Sequence, residues 1–145
     1  MEKESAAYIT SRDTLDGAYP GLMLGINSCR IGMESRVFFT FMGINIIRKG
    51  HAKKAKFYPP GFMGAIPGMS FFASWMMKNM IKKSNTPAID ELLEIAELEG
   101  VKLIACKMTM DMMQLDESDL IDGVYTQTAE NFLKYARTCK VQLFT

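Results

Sequence analysis

The chain reads as an α/β protein: a parallel sheet with helices covering both faces. Three observations predict this. Short apolar runs alternate with helix-period segments along the sequence, the order that generates parallel strands. The runs are apolar almost without interruption, as in strands buried on both sides. With 145 residues, 48% of them hydrophobic and 23% charged, the chain suits one domain with one sizeable core.

The elements follow in order. AAYIT (6–10) is a short apolar run that ends in the turn-rich SRDTLDG, and it predicts the first strand. A helix is expected to open at Pro20, with Leu22, Ile26, Cys29 and Met33 on one stripe and Gly32 near its C-cap. RVFFTF (36–41) is aromatic and β-branched and predicts the second strand. Thr86 and Pro87 predict a capped helix start, because Ile89, Leu92, Leu93 and Ala96 then share a face opposite Asp90, Glu91, Glu94 and Glu97. Gly100 closes that helix and VKLIAC (101–106) is the third strand, from which KMTMDMMQL could open directly as a helix. GVYT (123–126) predicts a short fourth strand. Thr128 caps a last helix through Phe132, Leu133 and Ala136, and KVQLF (140–144) is the fifth strand.

Between the second and third strands lies an insertion, about 44–86, too long for an ordinary connection and expected to carry function or an interface. Residues 57–77 hold no charge, enough to cross a bilayer by count. Pro59, Pro60, Pro67, Gly61, Gly64 and Gly68 break that stretch, so a spanning helix is not expected. Residues 48–83 hold eight basic groups and no acid, whereas 84–123 hold ten acids against Lys102 and Lys107. The net charge of +1 thus averages two opposed blocks. Two solvated faces explain this most simply. Subunit pairing through complementary patches is a second reading, and contact with an anionic membrane surface is a third and less favoured one.

Composition also limits the chemistry. Seventeen basic against sixteen acidic residues give no reason to expect nucleic acid as a partner. A single histidine, His51, excludes a multi-histidine metal centre within the chain, and its setting in RKGHAKKAK reads as a solvated loop. Three cysteines spaced by 77 and 33 residues make neither a disulfide framework nor a CxxC site. With no apolar run after the charged N-terminus, no signal peptide is expected, and the location expected is cytoplasmic with reduced thiols.

Among the thiols, Cys106 is the candidate. Its predicted place is the carboxyl end of a parallel strand, the edge at which open α/β sheets bind ligands. It also lies where a helix begins, and unpaired amides there would favour a nucleophilic thiolate. Lys107 could add positive charge, while Ser11, Arg12, Asp13 and Met108 could line the same crevice. Packing as a small hydrophobe remains an equal alternative for Cys106. Met108, Met110, Met112 and Met113 follow closely, and with the thiolate they make a soft donor set suited to Cu(I). On a helix they would divide between two faces, which disfavours a single metal site. Cys29 and Cys139 read as structural.

AAYITS at the start, RVFFTF, EGVKLIACKMTMDMMQLDESDLIDGV around the thiol and KVQLF at the end together resemble the DsrE/DsrF/DsrH-like, TusD-related sulfur-relay family. The likeness is to its DsrE-like subgroup with a long middle insertion, here around PGFMGAIPGM, and it covers nearly the whole chain. It implies a three-layer α/β/α sandwich with a five-stranded, mainly parallel sheet, and a homo-oligomer. It further implies a cytosolic persulfide carrier, sulfurtransferase-like if active, that receives and passes on sulfane sulfur between donor and acceptor proteins. The sulfur-carrying cysteine falls on Cys106 by motif position, and the chemistry needs no cofactor and no metal. The insertion would then cover the site or form an interface. Two alternatives stand beside the relay: a non-catalytic oligomeric interaction module with a structural cysteine, and a Cu(I) binder through Cys106 and the methionine cluster.

Overall fold

A computed structural model describes residues 3–145. Its strands are β1 (Ser5–Thr10), β2 (Glu34–Phe39), β3 (Lys102–Cys106), β4 (Tyr125–Gln127) and β5 (Val141–Phe144). Its helices are α1 (Leu15–Arg30), α2 (Met69–Lys83), α3 (Ile89–Glu99), α4 (Lys107–Met112) and α5 (Ala129–Ala136). Short 3₁₀ turns occupy Phe41–Ile47, Ala52–Lys54, Gly61–Ala65 and Glu117–Asp119.

The strands form one sheet in the order β4-β3-β2-β1-β5, and every neighbouring pair is parallel. The chain steps from β1 to β4 in one direction and then returns to the far side of β1. Because such crossovers are right-handed, the outward steps and the return lay their helices on opposite faces. The packing agrees. Period-two alternation sends Ala6, Tyr8, Val37, Phe39, Leu103 and Ala105 into a large core with Leu22, Ile26, Leu92 and Leu93 of α1 and α3. The intervening Ala7, Phe38, Ile104 and Cys106 face the smaller core under Phe132 and Ala136 of α5. One two-turn helix is thus the main cover of the second face.

Several element starts differ from expectation for local reasons. Helix α1 begins at Leu15 rather than Pro20. Thr14 is extended and its hydroxyl accepts the Gly17 N–H at 3.2 Å, while the Leu15 N–H bonds the Lys56 carbonyl at 2.8 Å. Pro20 lies inside the helix, where it removes one hydrogen bond. The helix ends as the glycine predicts. Gly32, at φ 91°, donates to the Cys29 carbonyl and Met33 donates to that of Ser28, a Schellman closure that turns Met33 into the core. Strand β2 runs two residues earlier than expected, since Phe41 takes a left-handed φ of 48° and starts a 3₁₀ turn. Helix α3 is capped at Ala88, not Thr86, because the Pro87 carbonyl accepts Tyr19 Oη at 2.9 Å and Thr86 pairs with Ser84.

The insertion divides into two parts. Ile44, Ile46 and Ile47 are buried in the main core, so its first turn belongs to the domain. Gly43 packs so tightly there that an added Cβ would come 2.2 Å from the Thr10 carbonyl oxygen. The second part, the Gly61–Ala65 turn and α2, stands on the surface. Among the described residues no helix is long and apolar enough to cross a membrane.

Candidate functional site

Cys106 is the last residue of β3 and the residue from which α4 starts, the strand-end position the sequence predicts. Its side chain follows Ile104 onto the α5 face and is only 2% exposed. Phe132 fills that layer, stacked on Phe38 with centroids 4.4 Å apart and rings 13° from parallel. Register places Gln127 of β4 beside Cys106 on the same face, and Gln127 Oε1 is buried without a hydrogen-bond partner among the described residues. The thiol therefore shares a buried layer with the stacked Phe38 and Phe132 rings and has Gln127 on the neighbouring strand. It takes no capping hydrogen bond from the amides of α4, so packing, not helix capping, sets its surroundings.

The edge around it is pinned by Thr109. This residue is wholly buried; its hydroxyl accepts the Phe41 N–H at 3.0 Å and lies 3.4 Å from Thr40 Oγ1. The contact ties the end of β2 to α4 and holds Phe41 in its left-handed conformation. Neither Thr109 nor Gln127 nor Phe132 was marked as a site residue by the sequence. The period-two step from Ile104 to Cys106 could have shown which face the thiol joins, but its partners on that face come from 20 to 70 residues away.

The other expected residues do not gather around the thiol. Lys107 is exposed and its ammonium is held by Asp111 one turn along, which pushes its pKa up. Met108 points outward at 55% exposure. Ser11, Arg12 and Asp13 lie at the same sheet edge, beyond β1, with β2 between them and Cys106. Each has a local partner. Ser11 Oγ donates to the Thr145 carbonyl at 3.0 Å, Arg12 lies 3.9 Å from Asp16, and Asp13 accepts Asn45 Nδ2 at 2.9 Å. They brace the β1–α1 loop.

The soft-donor set also disperses. Met110 and Met113 pack into the main core, opposite the face that holds Cys106, and Met112 is exposed. Met110 sulfur accepts the Thr126 hydroxyl at 3.7 Å. Cys29 is half-buried on α1, and burial pushes its thiol pKa up. Cys139 donates to the Tyr135 carbonyl at 3.5 Å. His51 Nδ1 lies 3.0 Å from the Lys49 carbonyl in its loop. The uncharged 57–77 segment contributes no described residue to the group around Cys106. A cavity of about 630 Å³ lies between α2, Tyr19 and the start of α3, and is not part of this site.

Comparison with known proteins agrees with this architecture. The model of the DsrE/DsrF/DrsH-like family matches residues 2–144. The sulfur carrier protein DsrE2 of Allochromatium vinosum is 32% identical over 158 aligned positions, covering 99% of both chains. The uncharacterized protein YrkE of Bacillus subtilis is 33% identical over 143, covering 89% of both. Among solved structures, the ychN protein of E. coli superposes with a TM-score of 0.66 at 16% identity, covering 99% of this chain and 100% of its own. MTH1491 of Methanobacterium thermoautotrophicum superposes at 0.54, also at 16% identity, covering 98% and 99%. At that identity the two structures speak for the fold.

Proposed function

The chain belongs to the DsrE/DsrF/DrsH-like family, and from that premise we propose that it is a cytosolic sulfur carrier that holds sulfane sulfur as a persulfide on Cys106. The observation that carries the reading is the place of this thiol: a strand's carboxyl end, in one buried cluster with Phe132 and paired in register with Gln127 of β4.

The chemistry needs one nucleophilic sulfur. The Cys106 thiolate attacks the terminal sulfur of a donor persulfide, R–S–SH. A sulfur–sulfur bond forms to Cys106 while the donor's bond breaks, and its electron pair leaves on the donor as a thiolate. Hydrogen stays on the transferred sulfur, so the exchange is redox-neutral and requires no cofactor. An acceptor thiolate then repeats the step in the opposite sense. Burial serves the interval between the two steps, because a persulfide in the Phe132 layer is shielded from adventitious thiols, and the Gln127 amide on the neighbouring strand is an acceptor available to its S–H.

Burial also means that the cover must open when a partner docks. Helix α5 is the element to move, since it rests on the sheet mainly through Phe132 and Ala136. Leu133 on α5 and Phe144 on β5 are exposed apolar residues on the α5 side of the sheet. They form the surface on which donor, acceptor and further copies of the chain would dock. Ser11, Arg12 and Asp13 act at a distance by holding the loop, and Lys107 and Met108 stay outside the layer that holds the thiol. The test is the intact mass of wild type and Cys106→Ser after incubation with a low-molecular-weight persulfide. Wild type should gain one sulfur atom and the variant none; equal gain by both would end the proposal.

A further inference from the structure

Residues 48–83 place eight cations, Arg48 and seven lysines, in a stretch without one carboxylate. The same stretch displays large apolar side chains to solvent: Phe62 is 79% exposed, Phe71 70%, Trp75 63% and Phe72 59%. Helix α2 touches the body along a narrow seam of Ala73, Ser74 and half-buried Met77. It is moored by Ser74 Oγ, which accepts the Phe57 N–H at 2.8 Å and donates to the Phe57 carbonyl at 3.2 Å. The opposite side of the helix is ordered along its axis. Phe71, Phe72, Trp75 and Met76 occupy the first half, and Lys78, Lys82 and Lys83 the second. Lys56 sits against this side as well, its ammonium 4.6 Å from the centre of the Phe71 ring.

We propose that this arm, residues 58–83, binds the surface of an anionic lipid membrane. The arm lies in the interface with the aromatic half of α2 and Phe62 in the boundary between headgroups and acyl chains, and the lysines among the headgroups. Aromatic rings favour that depth, and lysine stems can lie along apolar surface while their ammonium groups stay wet. Three observations favour lipid over a second copy of the chain. Lysine is depleted in protein interfaces, yet every cation along α2 is lysine. The acidic block that could complement the arm is partly committed within its own chain, with Asp90 on Lys53, Glu99 on Arg30 and Asp111 on Lys107. The exposed Phe62, Phe71, Phe72 and Trp75 lie on the Gly61–Ala65 turn and the first half of α2, directly followed by its lysines, the amphipathic pattern of a membrane-surface segment.

Trp75 is the only tryptophan, so its emission reports the arm directly. The full chain is mixed with vesicles of phosphatidylcholine alone and of phosphatidylcholine and phosphatidylglycerol at two to one. Binding should appear with the anionic vesicles only, as co-sedimentation and a blue shift of Trp75 emission, and should weaken as salt is raised. Replacing Lys82 and Lys83 together by Gln should weaken it about thirtyfold, at about fivefold per lysine. Phe62→Ser with Phe72→Ser should remove the blue shift, and both sites are exposed enough that the circular dichroism should not change. Absence of binding to anionic vesicles, or equal binding to neutral ones, would overturn the proposal. So would a lipid-free Trp75 already blue-shifted in a multimer that Phe72→Ser splits, because the arm's occupant would then be a second copy.

Discussion

The aromatic cover over Cys106 can be tested by removing it. Phe132 is 2% exposed and stacked on Phe38, so Phe132→Ala deletes a buried ring that little can move in to replace. Changes of this kind cost about 3 to 5 kcal/mol. For 145 residues the unfolding entropy is about 0.3 kcal/mol per degree, so a loss near 4 kcal/mol lowers Tm by about 13 °C. The same loss should surface at the thiol. If Cys106 reacts only when α5 lifts, weakening the helix by about 4 kcal/mol raises the open fraction about a thousandfold. The assay is the rate of labelling by an aromatic disulfide reagent, in a Cys29→Ala, Cys139→Ser background that leaves Cys106 as the sole thiol. A fall in Tm without faster labelling would show that something other than α5 shields Cys106. A Tm within a few degrees of wild type would show that Phe132 does not anchor the layer.

Three further outcomes follow from the same geometry. Thr109→Val leaves the Phe41 N–H without its acceptor in a part-buried place and should cost about 1 to 3 kcal/mol in urea unfolding; an unchanged midpoint would mean water or a shifted backbone replaces the bond. Gly43→Ala should cost about 3 kcal/mol because its methyl group meets the Thr10 carbonyl, whereas Gly50→Ala, in open space at φ 73°, should cost about 1 kcal/mol from backbone strain alone. The reverse ranking of their urea midpoints would contradict the packing described for the Phe41–Ile47 turn. Stability should also fall in alkali. Burial raises the Cys29 thiol above its ordinary 9.0, and burial with the neighbouring Cys139 raises the Tyr135 hydroxyl above 10.0. A raised pKa means the folded state holds its proton more tightly, so this stability is complete below those ordinary values and is lost as pH climbs from them toward the folded ones. Urea midpoints should decline from about pH 9 upward, and Tyr135→Phe should flatten the part of the decline above pH 10; a pH-independent midpoint in wild type would refute the assignment.

What could be read from the residues alone was what depends on neighbours in sequence. VKLIAC, with Gly100 before it and KMTMDM after it, marks β3, its helix entry and the strand-end position of Cys106 without help from the rest of the chain. Thr128 caps α5 as its hydroxyl suggests, accepting the Asn131 N–H at 3.2 Å. The errors came where distant groups decide. Thr14 and Lys56 together start α1 ahead of Pro20, and Tyr19 engages the Pro87 carbonyl and leaves Ala88 to cap α3. The strand-end place of the candidate thiol was legible. Its lining was not, because Phe38, Phe132 and Gln127 reach Cys106 only through sheet register and the return of α5. Ser11, Arg12 and Asp13 were placed at the correct edge, but strand order puts β2 between them and the thiol. That order follows from β2 pairing with both β1 and β3, which no local pattern encodes.

The most direct test of the central claim is to locate the sulfur. After brief exposure to a persulfide donor, the chain is alkylated, digested and read by peptide mass spectrometry at each of its three cysteines. An alkylated persulfide is expected on the Cys106 peptide, with Cys29 and Cys139 recovered as plain thiols. Sulfur on Cys29 or Cys139 with Cys106 unmodified would contradict it.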